Sequence, residues 1–378
     1  MAYYFRLPSI TDLTKHQQYI LYELEPIAIS GGAGTGKTVV SLYRHLLKMR
    51  DFNKTTVLVT YTKTLGFYLQ MTLEAIEDKN IFQEKNMLPP SQQVFIIKNF
   101  PFNQNWKVSE IIIDEAQDLT LETLQKITVH GDLISYGADF NQQLYEGRAT
   151  ENEIKELFPN NEERELLISF RNSYHILNFV KSLFPNFAID QNSLNLLLNG
   201  DPDSNPPIKE NIGIKPKLLI TENSDIEINK IVEIINSFKS NTHNIAILLP
   251  FGSSGEESVE NYHTLLSSIN IDCSKYYNEM RTDNIEISNI HVTTYKSAKG
   301  LEFDTVIIPF INKFRDFINR SRATRVNEED YYVAFTRTKS NLYLFSNQEL
   351  EFISSSLCDI NKVDNSAIIP IAEDEIPF

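Results

Sequence analysis

The sequence predicts an α/β protein with two parallel-sheet domains, on three observations. Short Val- and Ile-rich apolar runs alternate with longer amphipathic segments. That alternation occurs twice along the 378 residues. A glycine-rich turn joins the first such run to the helix candidate behind it. Strands alternating with helices read as crossover units, hence parallel sheets.

In the first half the strand candidates are "PIAIS", "TTVLVTY", "VFIIKN", "EIIID" and "LISYGAD"; in the second they are "KLLIT", "IAILL", "IHVTT", "TVIIP" and "NLYLF". "SDIEINKIVEIINSFKS" has helical spacing with a polar face. The polar segment 146–165 places a junction near residue 160, giving domains at 1–160 and 161–352 and an acidic tail at 353–378. Residues 189–216, rich in Asn and Pro, read as a long surface loop.

Composition narrows the classes. No apolar run reaches the roughly 18 residues of a membrane span, and the opening residues lack a signal-peptide pattern. Cys273 and Cys358 have neither metal spacing nor a disulfide framework, so a reduced cytoplasm is expected. A net charge of −15 argues against a general nucleic-acid coat, whose affinity rests on phosphate contacts. Binding through a local groove, binding through a partner, and no nucleic acid at all stay open.

"GGAGTGKT", Gly31 to Thr38, fits the phosphate-loop pattern between a strand and a helix. Loop amides, among them those of Gly34 and Gly36, and the helix N-terminus can surround phosphate oxygens, Lys37 reaches the β- and γ-phosphates, and Thr38 can place its hydroxyl on Mg²⁺. "EIIIDEAQD" ends a buried strand in two acids, presenting Asp114 to Mg²⁺ and Glu115 to an attacking water. Acidic pairs after strands are often solvated ends or caps. Beside a phosphate loop they imply nucleoside triphosphate hydrolysis, with ATP and Mg²⁺ as cofactors.

"DEAQD" resembles the second motif of UvrD/Rep-type superfamily 1 DNA helicases, and further resemblances follow in that family's order. "LTKHQQYI" is similar to its glutamine motif, implying that Gln17 reads the adenine. "VLVTYTKT" resembles motif Ia, implying that Thr60, Tyr61 and Thr62 contact single-stranded DNA. "GADFNQQLYE" resembles motif III, with Gln142 sensing the γ-phosphate and Tyr145 facing DNA. "ISFRNS" resembles motif IV, with Phe170 under the adenine and Arg171 on the γ-phosphate. "TTYKSAKGLEFDTVIIP" resembles motif V, with Glu302 near the ribose and Thr294 and Lys296 towards DNA. "EEDYYVAFTRTKSNLYL" resembles motif VI, whose arginine is Arg337.

The resemblance covers roughly residues 10 to 350. It implies two RecA-like domains with ATP in the cleft between them, and a motor on single-stranded DNA, of 3′-to-5′ polarity, in repair or anti-phage defence. RNA stays open as a substrate, and a nuclease or other protein subunit is the expected partner. Lys37 and Asp114 lie 77 positions apart, Arg171 and Gly300 129. Both intervals are shorter than in family members carrying the 1B and 2B accessory domains, which implies a compact form. Val39 stands where relatives often place an adenine-stacking arginine. The alternative from another class is a nucleotide-controlled switch subunit that does no unwinding.

Overall fold

Strands β1 (Ile27–Gly31), β2 (Thr56–Thr60), β3 (Val94–Ile96), β4 (Val108–Ile113), β5 (Gly131–Ala138) and β6 (Glu162–Leu166) form one sheet, ordered β3-β2-β4-β5-β1-β6. A second sheet is ordered β13-β7-β12-β11-β8-β10-β9. Its strands are β7 (Lys217–Thr221), β8 (Ile245–Leu249), β9 (Ser274–Tyr276), β10 (Ile290–Thr294), β11 (Phe303–Ile308), β12 (Thr338–Ser346) and β13 (Asp359–Val363). Every pairing in both is parallel. The computed structural model describes residues 2–187, 189–280, 282, 285–318 and 326–363.

The central strands β2 and β8 are buried at every position, as parallel strands covered by helices on both faces must be. This explains why they read as continuous apolar runs. The helix Lys37–Arg50 starts from Gly36 in a left-handed conformation and ends with Lys48 and Arg50 against its C-terminal dipole. It buries Val40, Leu42, Leu46 and Leu47. A buried ion pair, Arg44 Nε to Glu110 Oε1 at 2.8 Å, fixes it to β4.

The two sheets share apolar packing. The largest core cluster includes Leu46, Leu65 and Leu69 from the first and Tyr295, Leu301 and Phe303 from the second. The segment before the first helix bridges both: Tyr3 N–H donates to the Ile287 carbonyl at 3.1 Å, and the Pro8 carbonyl accepts from Tyr43 Oη at 2.7 Å.

Three of the expected boundaries change. β6 lies beyond residue 160 yet pairs with β1 from Ile27 to Gly31, so the first sheet extends past the expected junction. Within the expected loop 189–216, Gln191–Asn199 is helical: Asp190 caps it, accepting from Ser193 N, and Leu194 and Leu197 are buried. The expected tail from 353 contains β13, an edge strand on β7, while residues 364–378 lie outside the described residues.

On the second sheet's helices, the carboxyl of Glu227 is buried and accepts from Tyr262 Oη. Burial pushes it up to about 7, against smaller opposing effects of Tyr262 and Lys313. A raised folded-state pKa means that the native state keeps a proton the unfolded chain has lost. Stability is then fullest below the unfolded value and declines as pH rises towards 7. Glu227→Gln is expected to raise the melting temperature by a few degrees at pH 8 and to change it little at pH 4, measured by thermal denaturation. Equal shifts at both pH values would contradict this.

Candidate nucleotide site between the two halves

The strand ends β1, β4 and β5 place three loops side by side at one edge of the first sheet, where open parallel sheets bind ligands. The β1 loop carries Lys37 and Thr38, the β4 loop Asp114 and Glu115, and the β5 loop Gln142. Opposite them, the second half presents Arg171, Glu302, Arg337 and Lys339, and the cleft they line measures about 480 Å³.

Each side chain has a defined local cause. Gly34 adopts φ +75°, and a Cβ there would lie 2.7 Å from Arg171 Cβ, so glycine permits the phosphate loop to meet the 169–171 segment. The Phe170 N–H donates to the Gly34 carbonyl at 2.9 Å. Gly36, at φ +94°, has Gln17 Nε2 2.7 Å from where a Cβ would stand. Lys37 Nζ donates to the carbonyls of Gly31 and Gly32 at 2.7 and 2.9 Å and lies 3.7 Å from Asp139 Oδ2.

The two acids differ in environment. Burial and the charge of Glu115 push Asp114 up to about 7, despite hydrogen bonds from Thr38 and Ser41. Burial alone would raise Glu115 too, but Lys299, Lys37, a hydrogen bond from Gln117 and Arg337 together hold it well below the ordinary carboxylate range. The two adjacent carboxyl groups are thus shifted in opposite directions by their surroundings. Lys299 Nζ donates to Asp118 Oδ1 at 2.9 Å and to the Gln142 carbonyl at 2.6 Å, and lies 3.6 Å from Glu115 Oε2.

The cations converge as well. Arg337 Nη2 donates to Gln142 Oε1 at 2.9 Å, and the Gln142 amide in turn donates to Asp139. Burial and the neighbouring Arg171 push the Arg337 guanidinium below its ordinary value. Arg171 Nε donates to Glu302 Oε2 at 3.2 Å, while Lys339 pairs with the other Glu302 oxygen. Val39 is half-buried and forms part of the wall.

Asp114 Oδ2 is a buried oxygen without a hydrogen-bond partner among the described residues, and Thr38 bonds the same carboxyl. That donor set fits Mg²⁺, which takes one or two protein oxygens beside phosphate oxygens and water. Among the described residues no cluster of three or more His, Cys, Asp or Glu forms a separate metal cage.

The residues expected at DNA are placed unevenly. Tyr61 and Tyr145 meet edge to face, with ring centroids 4.9 Å apart. The Arg148 guanidinium lies 4.7 Å and 5.3 Å from their centroids and donates to Tyr61 Oη at 2.7 Å. Lys296 is partly exposed, 3.7 Å from Asp330 Oδ2. Thr60, Thr62 and Thr294 are buried. Thr62 caps the helix Lys63–Ile76, and the Thr294 hydroxyl donates to Ser297 Oγ, so neither hydroxyl faces outward as expected. Gln17 lines the cavity with its carboxamide turned to Thr14 and Thr35. Sequence reading missed Lys299, Asp118, Asp139 and Arg148. Lys299 stood in view inside "SAKG", but a pairing across 181 positions leaves no local pattern.

The fold and cavity define a P-loop nucleotide-binding core of two RecA-like halves. The UvrD-like helicase C-terminal domain family matches residues 93–349, and the chain belongs to the UvrD-like helicases. An Acanthamoeba polyphaga mimivirus protein named as an ATP-dependent DNA helicase is 26% identical over 254 residues, 63% of this chain and 34% of that protein. The chain thus spans about a third of that relative's length. Among solved structures, the arterivirus nonstructural protein 10 helicase is 15% identical with a TM-score of 0.42, covering 91% of this chain and 63% of its own. The C-terminal domain of a helicase described from Lactobacillus plantarum WCFS1 is 20% identical with a TM-score of 0.35, covering 51% of this chain and 99% of its own.

Lys299→Met is expected to lower stability by about 3–5 kcal/mol, because it leaves the buried Asp118 carboxyl without its ammonium partner and removes the nearest of the cations beside Glu115. Urea unfolding measures this. A loss under about 1 kcal/mol would show that the bridge is dispensable.

Proposed function

We propose that this chain hydrolyses ATP in the interdomain cavity and uses the cycle to move along single-stranded DNA. One observation carries the reading: Lys37, Glu115 and Gln142 from the first half and Arg171 and Arg337 from the second face one cavity. Cations from both sides are suited to the charge that redistributes during phosphoryl transfer. Mg²⁺, held by Thr38 and Asp114, would supply further positive charge at the β- and γ-phosphate oxygens.

The chain's own groups do the rest. Lys37 shifts from the Gly31 and Gly32 carbonyls to phosphate oxygens within the same loop. Glu115, ionised because Lys299 and Lys37 stand beside it, orients the attacking water and accepts its proton. Gln142 touches Arg337, so the γ-phosphate position is sensed jointly by both halves. Because each half holds part of the nucleotide, hydrolysis changes the free energy of closure. Tyr61, Arg148 and Tyr145 form an aromatic and cationic platform suited to stacked bases.

A nucleotide-controlled switch without unwinding is the second reading. It is favoured by the net charge of −15 and by the buried hydroxyls of Thr62 and Thr294.

Lys37→Ala is expected to weaken nucleotide binding and abolish turnover, whereas Glu115→Gln should bind ATP and leave it intact. Arg171→Ala and Arg337→Ala should each slow hydrolysis roughly 10³-fold with a smaller effect on affinity. Phosphate release and nucleotide binding assays read both quantities, and near-normal turnover in Glu115→Gln or Arg337→Ala would remove the proposal's core.

Tyr61→Ala and Tyr145→Ala are each expected to weaken oligonucleotide binding by about 1–3 kcal/mol. Binding should also fall steeply with salt, measured by fluorescence anisotropy. Unchanged affinity in both variants would place DNA elsewhere.

A further inference from the structure

We propose that Asn211 reads the base of the bound nucleotide and sets a preference for adenine; this rests on the ATP-site reading above. The cavity wall includes Phe170 and, among its polar side chains, Gln17, Asp12 and Asn211. A second cavity of about 260 Å³ adjoins it, sharing Asp12, Phe170 and Asn211. Its wall includes Ser169, a buried residue whose Oγ has no hydrogen-bond partner among the described residues. Room and polar groups therefore continue past Phe170, a residue 42% exposed and tethered through its backbone N–H to the Gly34 carbonyl.

The three polar candidates are not equally available. Gln17 Oε1 accepts from Thr14 N at 3.0 Å and lies 3.3 Å from Thr14 Oγ1, while its Nε2 donates to the Thr35 carbonyl at 3.0 Å. Asp12 Oδ2 accepts from the Ser9 amide and hydroxyl at 3.1 and 2.6 Å. The exposed Asn211 carboxamide makes no hydrogen bond among the described residues. Its backbone is nevertheless held at both ends: its N–H donates to the Leu197 carbonyl, and its carbonyl accepts from the Tyr174 N–H, each at 2.8 Å. Asn211 is thus a free carboxamide on a fixed mount at the rim.

A carboxamide offers a donor and an acceptor side by side. That pair matches the N6 amino group and N7 of adenine, whereas guanine presents two acceptors, O6 and N7, on the same edge. Base identity would then be read from the segment joining the two sheets, while the phosphates are held mainly by the loop after β1.

The test is competition binding of ATP, GTP and inorganic tripolyphosphate to the full chain, comparing wild type with Asn211→Ala and Asn211→Asp. Wild type should prefer ATP over GTP. Asn211→Ala should cut the ATP:GTP affinity ratio roughly tenfold, the scale of one bidentate amide–base contact, and leave tripolyphosphate binding unchanged. Asn211→Asp, which offers only acceptors when ionised, should cut the ratio as well. A ratio preserved in both variants would overturn the proposal. Wild-type protein that binds neither nucleotide nor tripolyphosphate would instead bring down the ATP-site reading on which it rests.

Discussion

The Lys299 ammonium is the charge on which the arrangement of the two halves depends. It is fully buried, sits on a turn of the second half, and contacts Asp118, Glu115 and the Gln142 carbonyl of the first. A buried cation with this many oxygen neighbours is strongly position-specific, because any slippage leaves charges unpaired at low dielectric. It also ties domain position to chemistry. Among the charges holding Glu115 below the usual carboxylate range Lys299 is the largest, so moving the second half away would raise the acid's proton affinity as well as change its surroundings.

The same economy explains how an acidic chain can present an anion site. The net charge of −15 is spread over the molecule, while Lys37, Arg171, Arg337 and Lys339 line a single cavity. Asp139 and Glu302 partly neutralise these cations. In the proposed ATP cycle, triphosphate groups would replace those carboxylates as partners, so that their binding energy could drive rearrangement as well as retention. The Tyr61–Arg148–Tyr145 cluster lies on the first half near Asp118, whose charge interacts with Arg148. A base stacking there would act on the neighbourhood of the Lys299 bridge.

Most of the fold was legible because its central strands are apolar on both faces and bounded by turns. What escaped notice lay at sheet edges or in polar sequence. β6, "EEREL", is exposed along most of its length and pairs with one strand, β1, at the edge of the sheet. β13 is likewise polar and edge-bound. The helix Gln191–Asn199 was hidden by its asparagines, although Leu194 and Leu197 sit at helical spacing. Within the site, the loop motifs named Lys37, Thr38, Asp114, Glu115, Gln142, Arg171 and Arg337, and all but Asp114 line the one cavity through long-range folding; Asp114 meets Thr38 beside it. The cross-chain bonds of Lys299 could not be read locally, nor could the inward turn of Thr62 and Thr294, which is decided by capping and packing.

The central claim is that nucleotide turnover in the cleft is coupled to single-stranded DNA. Steady-state ATP hydrolysis by the isolated chain, measured with and without a single-stranded oligonucleotide, tests it most directly. The account predicts a low basal rate that the oligonucleotide stimulates many-fold. Turnover that is identical with and without oligonucleotide would contradict the coupling and favour the switch.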